Sequence, residues 1–263
     1  MKRTILFSLA VLCIAVLLPL TAFATNFTMS GTDIQITVDE TYWYVFTRDN
    51  IRNNPELEEL GLTYDQMNAI FQENYAYMDA LLLYDDGDFV EMFVRKKAIE
   101  GGMANLSNYS DKEVLSIGEA LGEKTGSTDY SVYHTQYKFV RMESTDSGYY
   151  LCEFYTVMNR EGYTITFQSP TKFTDAEYAQ IEDIVNSIRF QVDTTLKEPT
   201  DSSDGSYTIL TRTIAGAAAG GAVGLVIGLV KKKKKNASTK SSIANTWNRT
   251  TALLYHSTYT TCY

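Results

Sequence analysis

The amino-acid sequence predicts an α+β fold over residues 25–193, an antiparallel sheet flanked by helices, followed by one C-terminal transmembrane helix. Three observations lead there. Short segments of alternating or aromatic and β-branched character fall into two groups separated by turn residues, the pattern of antiparallel strands. Three Ser/Thr-x-x-Glu/Gln signatures, each ahead of an apolar stripe at helical spacing, mark helix starts between and after them. A run without charge from Thr213 to Val230 is closed by five consecutive lysines.

The elements follow in order. Ile34, Ile36 and Val38 share one face of an opening strand, and an aromatic run from Tyr42 to Thr47 makes a second. Asn54-Pro55 starts a short helical turn that ends before Gly61. Thr63 with Gln66 caps the first substantial helix, on which Met67, Ile70 and Phe71 recur. Tyr77 to Tyr84 and Phe89 to Arg95 pair as a hairpin around Asp85-Asp86-Gly87-Asp88. A looser stretch, Ile99 to Tyr109, leads to Ser110 and Glu113, which box a second helix carrying Val114, Leu115, Ile117 and Leu121. After Gly126 four strands form a meander: Tyr130 to Thr135, Tyr137 to Met142, Tyr149 to Met158 and Tyr163 to Phe167. Thr174 and Glu177 start the last helix, with Tyr178, Ile181, Ile184, Val185 and Ile188 on one stripe, and an extended Phe190 to Val192 follows. Residues 194–208, with Pro, Ser, Asp and Gly, read as a flexible stalk.

Charge and apolar runs set the expected topology. Residues 1–24 have the three parts of a secretory signal: Lys2 and Arg3, an apolar stretch from Ile5 to Leu20, and Ala22-Phe23-Ala24 before a mature start near Thr25. The span, taken as 209–230, has an 18-residue uncharged core, which as a helix covers ~27 Å, enough for a hydrocarbon core. All 32 acidic residues lie between Asp33 and Asp204; from Thr25 to Thr208 they face 13 Lys and Arg, a balance of −19, while seven basic residues and no acid follow Val230. Lys231, Lys232, Lys233, Lys234 and Lys235 therefore act as a stop-transfer signal. They place the acidic domain outside the plasma membrane and the 231–263 tail in the cytoplasm, beside anionic lipid. So acidic a domain is excluded from tracking nucleic acid. Cys152 is the only cysteine expected outside, so the exported part has no internal disulfide.

The runs Tyr44-Val45-Phe46-Thr47-Arg48-Asp49, Leu60-Gly61-Leu62-Thr63, Tyr163-Thr164-Ile165-Thr166-Phe167 and Ile184-Val185-Asn186-Ser187-Ile188-Arg189-Phe190 together resemble a group of uncharacterised exported bacterial proteins. Their domain is similar to the PsbP-like fold. The resemblance covers about residues 34–192 and rests on packing motifs. It implies the fold, the location and a binding or assembly role, and it carries over no functional residue.

Candidate chemistry is sparse. Gly216, Gly220, Gly224 and Gly228 form overlapping GxxxG steps along one helix face, which lets two spans approach closely and points to self-association in the membrane. Asp85, Asp86 and Asp88 offer carboxylates to calcium but lack the ligand ladder of an EF-hand, so a solvated hairpin turn is the better reading. Cys152 and His134, the only exported thiol and imidazole, form the one conceivable nucleophilic couple; Cys152 alternates within a strand as a buried thiol does. Sixteen exported tyrosines are explained mainly by strand packing, with the Tyr-rich meander the place to look for a binding face. No metal or organic cofactor is implied. The reading that results is a membrane-anchored, non-enzymatic binding or envelope scaffold protein whose partner is an envelope protein or glycan. A cell-surface hydrolase using carboxylates is the alternative.

Overall fold

Strand-forming segments here bury apolar residues on one or both faces, and the sheets they build are decided by which faces need cover. The computed structural model describes residues 24–85, 87–99 and 103–198. In chain order the strands are β1 (Ala24–Thr28), β2 (Ile34–Asp39), β3 (Trp43–Thr47), β4 (Ala76–Leu83), β5 (Phe89–Ala98), β6 (Asp129–His134), β7 (Lys138–Asp146), β8 (Tyr149–Met158), β9 (Glu161–Ser169) and β10 (Arg189–Phe190). The α-helices are α1 (Pro55–Glu59), α2 (Tyr64–Glu73), α3 (Asp111–Thr125) and α4 (Asp175–Ser187). The result is α+β with antiparallel sheets.

All three expected capping boxes are present. Thr63 with Gln66, Ser110 with Glu113 and Thr174 with Glu177 each satisfy two N-terminal amide groups reciprocally. At the other end of α3, Gly126 stops the helix with φ of 75°, a left-handed conformation that glycine adopts without steric cost.

Two sheets replace the single one expected. β3 to β9 form a seven-stranded antiparallel sheet in the order β3-β4-β5-β9-β8-β7-β6, while β2 sits between β1 and β10 in a separate three-stranded sheet. The alternation on β2 explains this: Ile34, Ile36 and Val38 are buried and the residues between are not, as suits a strand covering another layer on one face only. β1 is an addition, since its single large apolar residue, Phe27, leaves no period to read. The last extended segment forms strand pairs at Arg189 and Phe190, Gln191 N adds one bond to the Asp33 carbonyl at 2.8 Å, and Val192 is exposed.

Each face of the large sheet is covered. On one, Val45, Met78, Ala80, Met92, Cys152, Phe154, Ile165 and Phe167 pack against β2 and the Ile181, Ile184, Val185 stripe of α4. The other face is shared. Under α1 and α2 lie Phe46, Leu81, Phe89 and Phe93; under α3 lie Val140, Met142, Tyr155 and Val157. The β4–β5 and β7–β8 turns lie at one end of the sheet, and the β6–β7 and β8–β9 turns at the other.

No helix among the described residues is long and apolar enough to cross a membrane. Residues 1–23 of the expected signal segment, Gly216, Gly220, Gly224, Gly228, Lys231 to Lys235 and the tail lie outside the described residues, while Ala24, its last expected residue, opens β1.

Contact between α3 and the loop after it generates a test. A Cβ on Gly122 would lie 2.5 Å from the carbonyl oxygen of Ser127, whose hydroxyl donates to the backbone of Asp129 and Glu143. Alanine gains ~1 kcal/mol of helix propensity, but overpacking against backbone costs about 1–3 kcal/mol. Gly122→Ala is therefore expected to lower the urea midpoint; a raised midpoint would show that the loop gives way freely.

Candidate functional site

Where β4, β5, β9 and β8 run side by side, the face shared by the helices has a polar seam. Strand pairing puts Asp79 opposite Phe93, Glu91 opposite both Leu81 and Gln168, and Thr166 opposite both Phe93 and Glu153. Asp79, Glu91 and Gln168 are wholly buried, and Arg95 and Glu153 nearly so. Sequence reading did not single out these residues as a group. The signal was available: Asp79 interrupts an apolar strand and Glu91 the apolar run Phe89–Val94, each at a position in phase with the core.

Burial dominates the electrostatics of the seam. Gln168 Nε2 donates to Glu91 Oε2 at 2.5 Å, and the Thr166 hydroxyl donates to Glu153 Oε1 at 3.0 Å. Both Asp79 oxygens, Glu91 Oε1 and Gln168 Oε1 have no hydrogen-bond partner. An ionised carboxylate so placed would lose several kcal/mol of solvation, so the neutral acid is favoured. Burial raises the Asp79 carboxyl well above the usual range, and the Glu91 charge adds to it. Burial also pushes Glu91 up to about 7, against the Gln168 hydrogen bond and the Arg95 charge. Glu153 is raised by burial and held back by Thr166 and Arg95. Chemically, the seam takes up protons near neutrality. It presents no carboxylate pair to a surface, as a hydrolase would need.

The residues singled out from sequence are dispersed. Cys152 is fully buried, and its thiol is pushed up to about 12 by burial, the opposite of an activated nucleophile. His134 is exposed at the end of β6 and pairs with Asp111 at 3.1 Å. Cys152 aligns through Glu143 with Asp129, five residues from His134 along β6. That is a separation of ~16 Å, so no Cys-His couple is assembled. Asp85 and Asp88 do flank a hairpin turn: Tyr84 N donates to the Asp88 carbonyl at 3.0 Å, and Thr171 Oγ1 donates to the Asp88 carboxylate at 3.3 Å. Among the described residues no three His, Cys, Asp or Glu side chains come together as metal ligands. In the meander Tyr149, Tyr155 and Tyr163 are core residues, Tyr130, Tyr133 and Tyr137 are half-buried, and Tyr150 is 39% exposed.

A second polar arrangement holds the start of the expected stalk. The Glu198 carboxylate accepts from the backbone N–H groups of Ala104 at 2.9 Å and Asn105 at 2.8 Å, from Asn108 Nδ2 at 2.8 Å, and from the Tyr109 hydroxyl at 3.2 Å. Four donors on one carboxylate form a clamp. Upstream, Asn159 Nδ2 donates to the Gln191 carbonyl and Asn159 Oδ1 accepts from Asp193 N, so residues 191–198 are stitched along one end of the sheet.

No protein-family model, curated protein or solved structure matches the chain.

The raised carboxyls make stability depend on pH in a defined sense. A group whose folded pKa exceeds its unfolded value contributes stability that is fully present below the unfolded value and is lost as pH rises through the folded one. For Glu91 that window runs from 4.5 to about 7, and Asp79 acts in the same direction. The urea midpoint should fall between about pH 5 and about pH 8. Glu91→Gln, which keeps an acceptor for Gln168, should flatten that fall and stabilise the protein on the alkaline side. A midpoint that rises over this window would contradict the assignment.

Proposed function

We propose that this protein is a membrane-anchored extracytoplasmic binding or envelope scaffold protein, non-enzymatic, with a PsbP-like exported domain and a glycine-faced span through which copies self-associate. The observation that carries the reading is the Glu198 clamp. A stalk that merely linked two parts would have no need of four donors at its root. Fastening it to one end of the sheet gives the domain a fixed sense relative to its anchor, as a presenting scaffold needs. The charge balance, the run closed by Lys231 to Lys235 and the three-part N-terminal segment support the location. The ligand is an envelope protein or glycan, recognised without a metal or organic cofactor. The hydrolase alternative is weakened by the depth of Asp79 and Glu91, which no substrate reaches while the sheet is covered.

Crosslinking the tagged full chain in its native envelope, with mass spectrometry of what is retained, tests the binding reading. An envelope protein or glycan should be retained by the full chain and lost from a variant reduced to residues 209–263. Equal retention by both would remove the domain from the interaction.

Self-association has its own test. Substituting Gly220→Ile and Gly224→Ile blocks close backbone approach and should abolish association of the span in a membrane two-hybrid reporter. Unchanged signal would sink the glycine face as a contact.

A further inference from the structure

We propose that the sheet end bearing the β6–β7 and β8–β9 turns lies against the anionic lipid headgroups of the membrane that residues 209–230 enter, with the opposite end held outward; this rests on the membrane-anchor reading above.

The clamp locates the tether. Asn105 bridges to Met158, the Arg160 backbone N–H donates to the Ala104 carbonyl, and Arg160 Nη2 reaches the Lys197 carbonyl at 3.5 Å. Glu198 is thus fixed beside the β8–β9 turn. Only ten residues, 199–208, remain before the span. Fully extended they reach at most ~35 Å. β8 and β9, ten and nine residues long, themselves run ~33 Å. Bringing the far end of the sheet to the lipid would consume nearly the whole reach of the tether in extended form. The clamped end meets the headgroups with chain to spare.

Charge selects the same end. Arg160, Arg189, Lys197 and Lys112 are exposed there. Of the acids around them, Asp111 pairs with Lys138 at 2.9 Å, Asp33 accepts from Asn159 at 2.7 Å and Glu198 lies in the clamp, while Asp49, Glu73 and Asp193 are exposed, so this end is mixed in sign. At the opposite end Glu40, Asp85, Asp129, Asp146 and Asp175 are exposed, with Lys172 among them. An anionic surface attracts these basic side chains, and the same field repels the acidic end. An anionic bilayer therefore turns the domain the way the clamp already holds it.

The test uses the mature full-length chain with Cys262→Ser, reconstituted in phosphatidylcholine vesicles with or without phosphatidylglycerol and carrying acceptor-labelled headgroups. A donor fluorophore is placed at Gln136→Cys, in the β6–β7 turn, or at Thr145→Cys, near the β7–β8 turn; buried Cys152 stays unlabelled. Energy transfer from position 136 should exceed that from 145 several-fold in phosphatidylglycerol vesicles. Lys112→Gln, Arg189→Gln and Lys197→Gln together should narrow the difference there and leave it unchanged in pure phosphatidylcholine. Glu198→Ala should narrow it in both. Equal transfer from the two positions, or more from 145, overturns the proposal. Resistance to alkaline carbonate reads the anchor separately: a chain that washes off overturns the anchor reading and the proposal with it, whereas a resistant chain with equal transfer overturns the proposal alone.

Discussion

Pairing of β5 with β9 is the constraint on which the rest depends. Eight register pairs, from Glu91 with Gln168 to Ala98 with Glu161, join the N-terminal hairpin to the C-terminal meander. Without that seam the two groups of strands would be separate small sheets, each with an open edge and too little apolar surface to bury. With it, a seven-stranded sheet exists whose two faces must both be covered, and every other element finds its place by covering one of them. α4 and β2 close one face; α1, α2 and α3 divide the other.

The same junction accounts for the buried polar seam. Glu91 and Gln168 face each other across β5 and β9, with Thr166 and Glu153 alongside. They lie between the cluster gathered under α1 and α2 and the cluster gathered under α3. A sheet covered by two separate apolar packings has a boundary between them, and here polar groups occupy it. Burial shifts the acids there toward the neutral form, which ties the stability of the central strands to proton concentration.

Much of this was legible in the residues. Capping boxes could be read because a short side chain and an acid or amide three residues on satisfy amide groups locally, whatever the tertiary context. The β4–β5 hairpin and the β6 to β9 meander could be read for the same reason: turn residues such as Gly87 and Gly148 adopt positive φ within a few positions of the strands they join. What could not be read depends on distant partners. β1 has only Phe27 to announce it, and its strand character comes from hydrogen bonds to β2. The division into two sheets rests on which strand leaves a face for which helix. Of the buried seam, Asp79 and Glu91 betray themselves singly by their place among apolar neighbours, but their proximity is a product of register. Glu198 gave no sign at all in a segment whose composition reads as a linker, because its four donors come from residues about ninety positions earlier.

The position of β2 has a consequence for the order in which the molecule can be built. Its neighbours are β1, the first strand, and β10, the last, so its two edges wait on opposite ends of the domain. Ser187, at the end of α4, reaches back 150 residues to bond the backbone of Thr37. A chain delivered progressively from its N-terminus cannot close this layer until residue 190 has arrived. Contacts of such long sequence separation also form slowly. The three-stranded layer is therefore the last part of the domain to close, and it locks only once the final strand is in place.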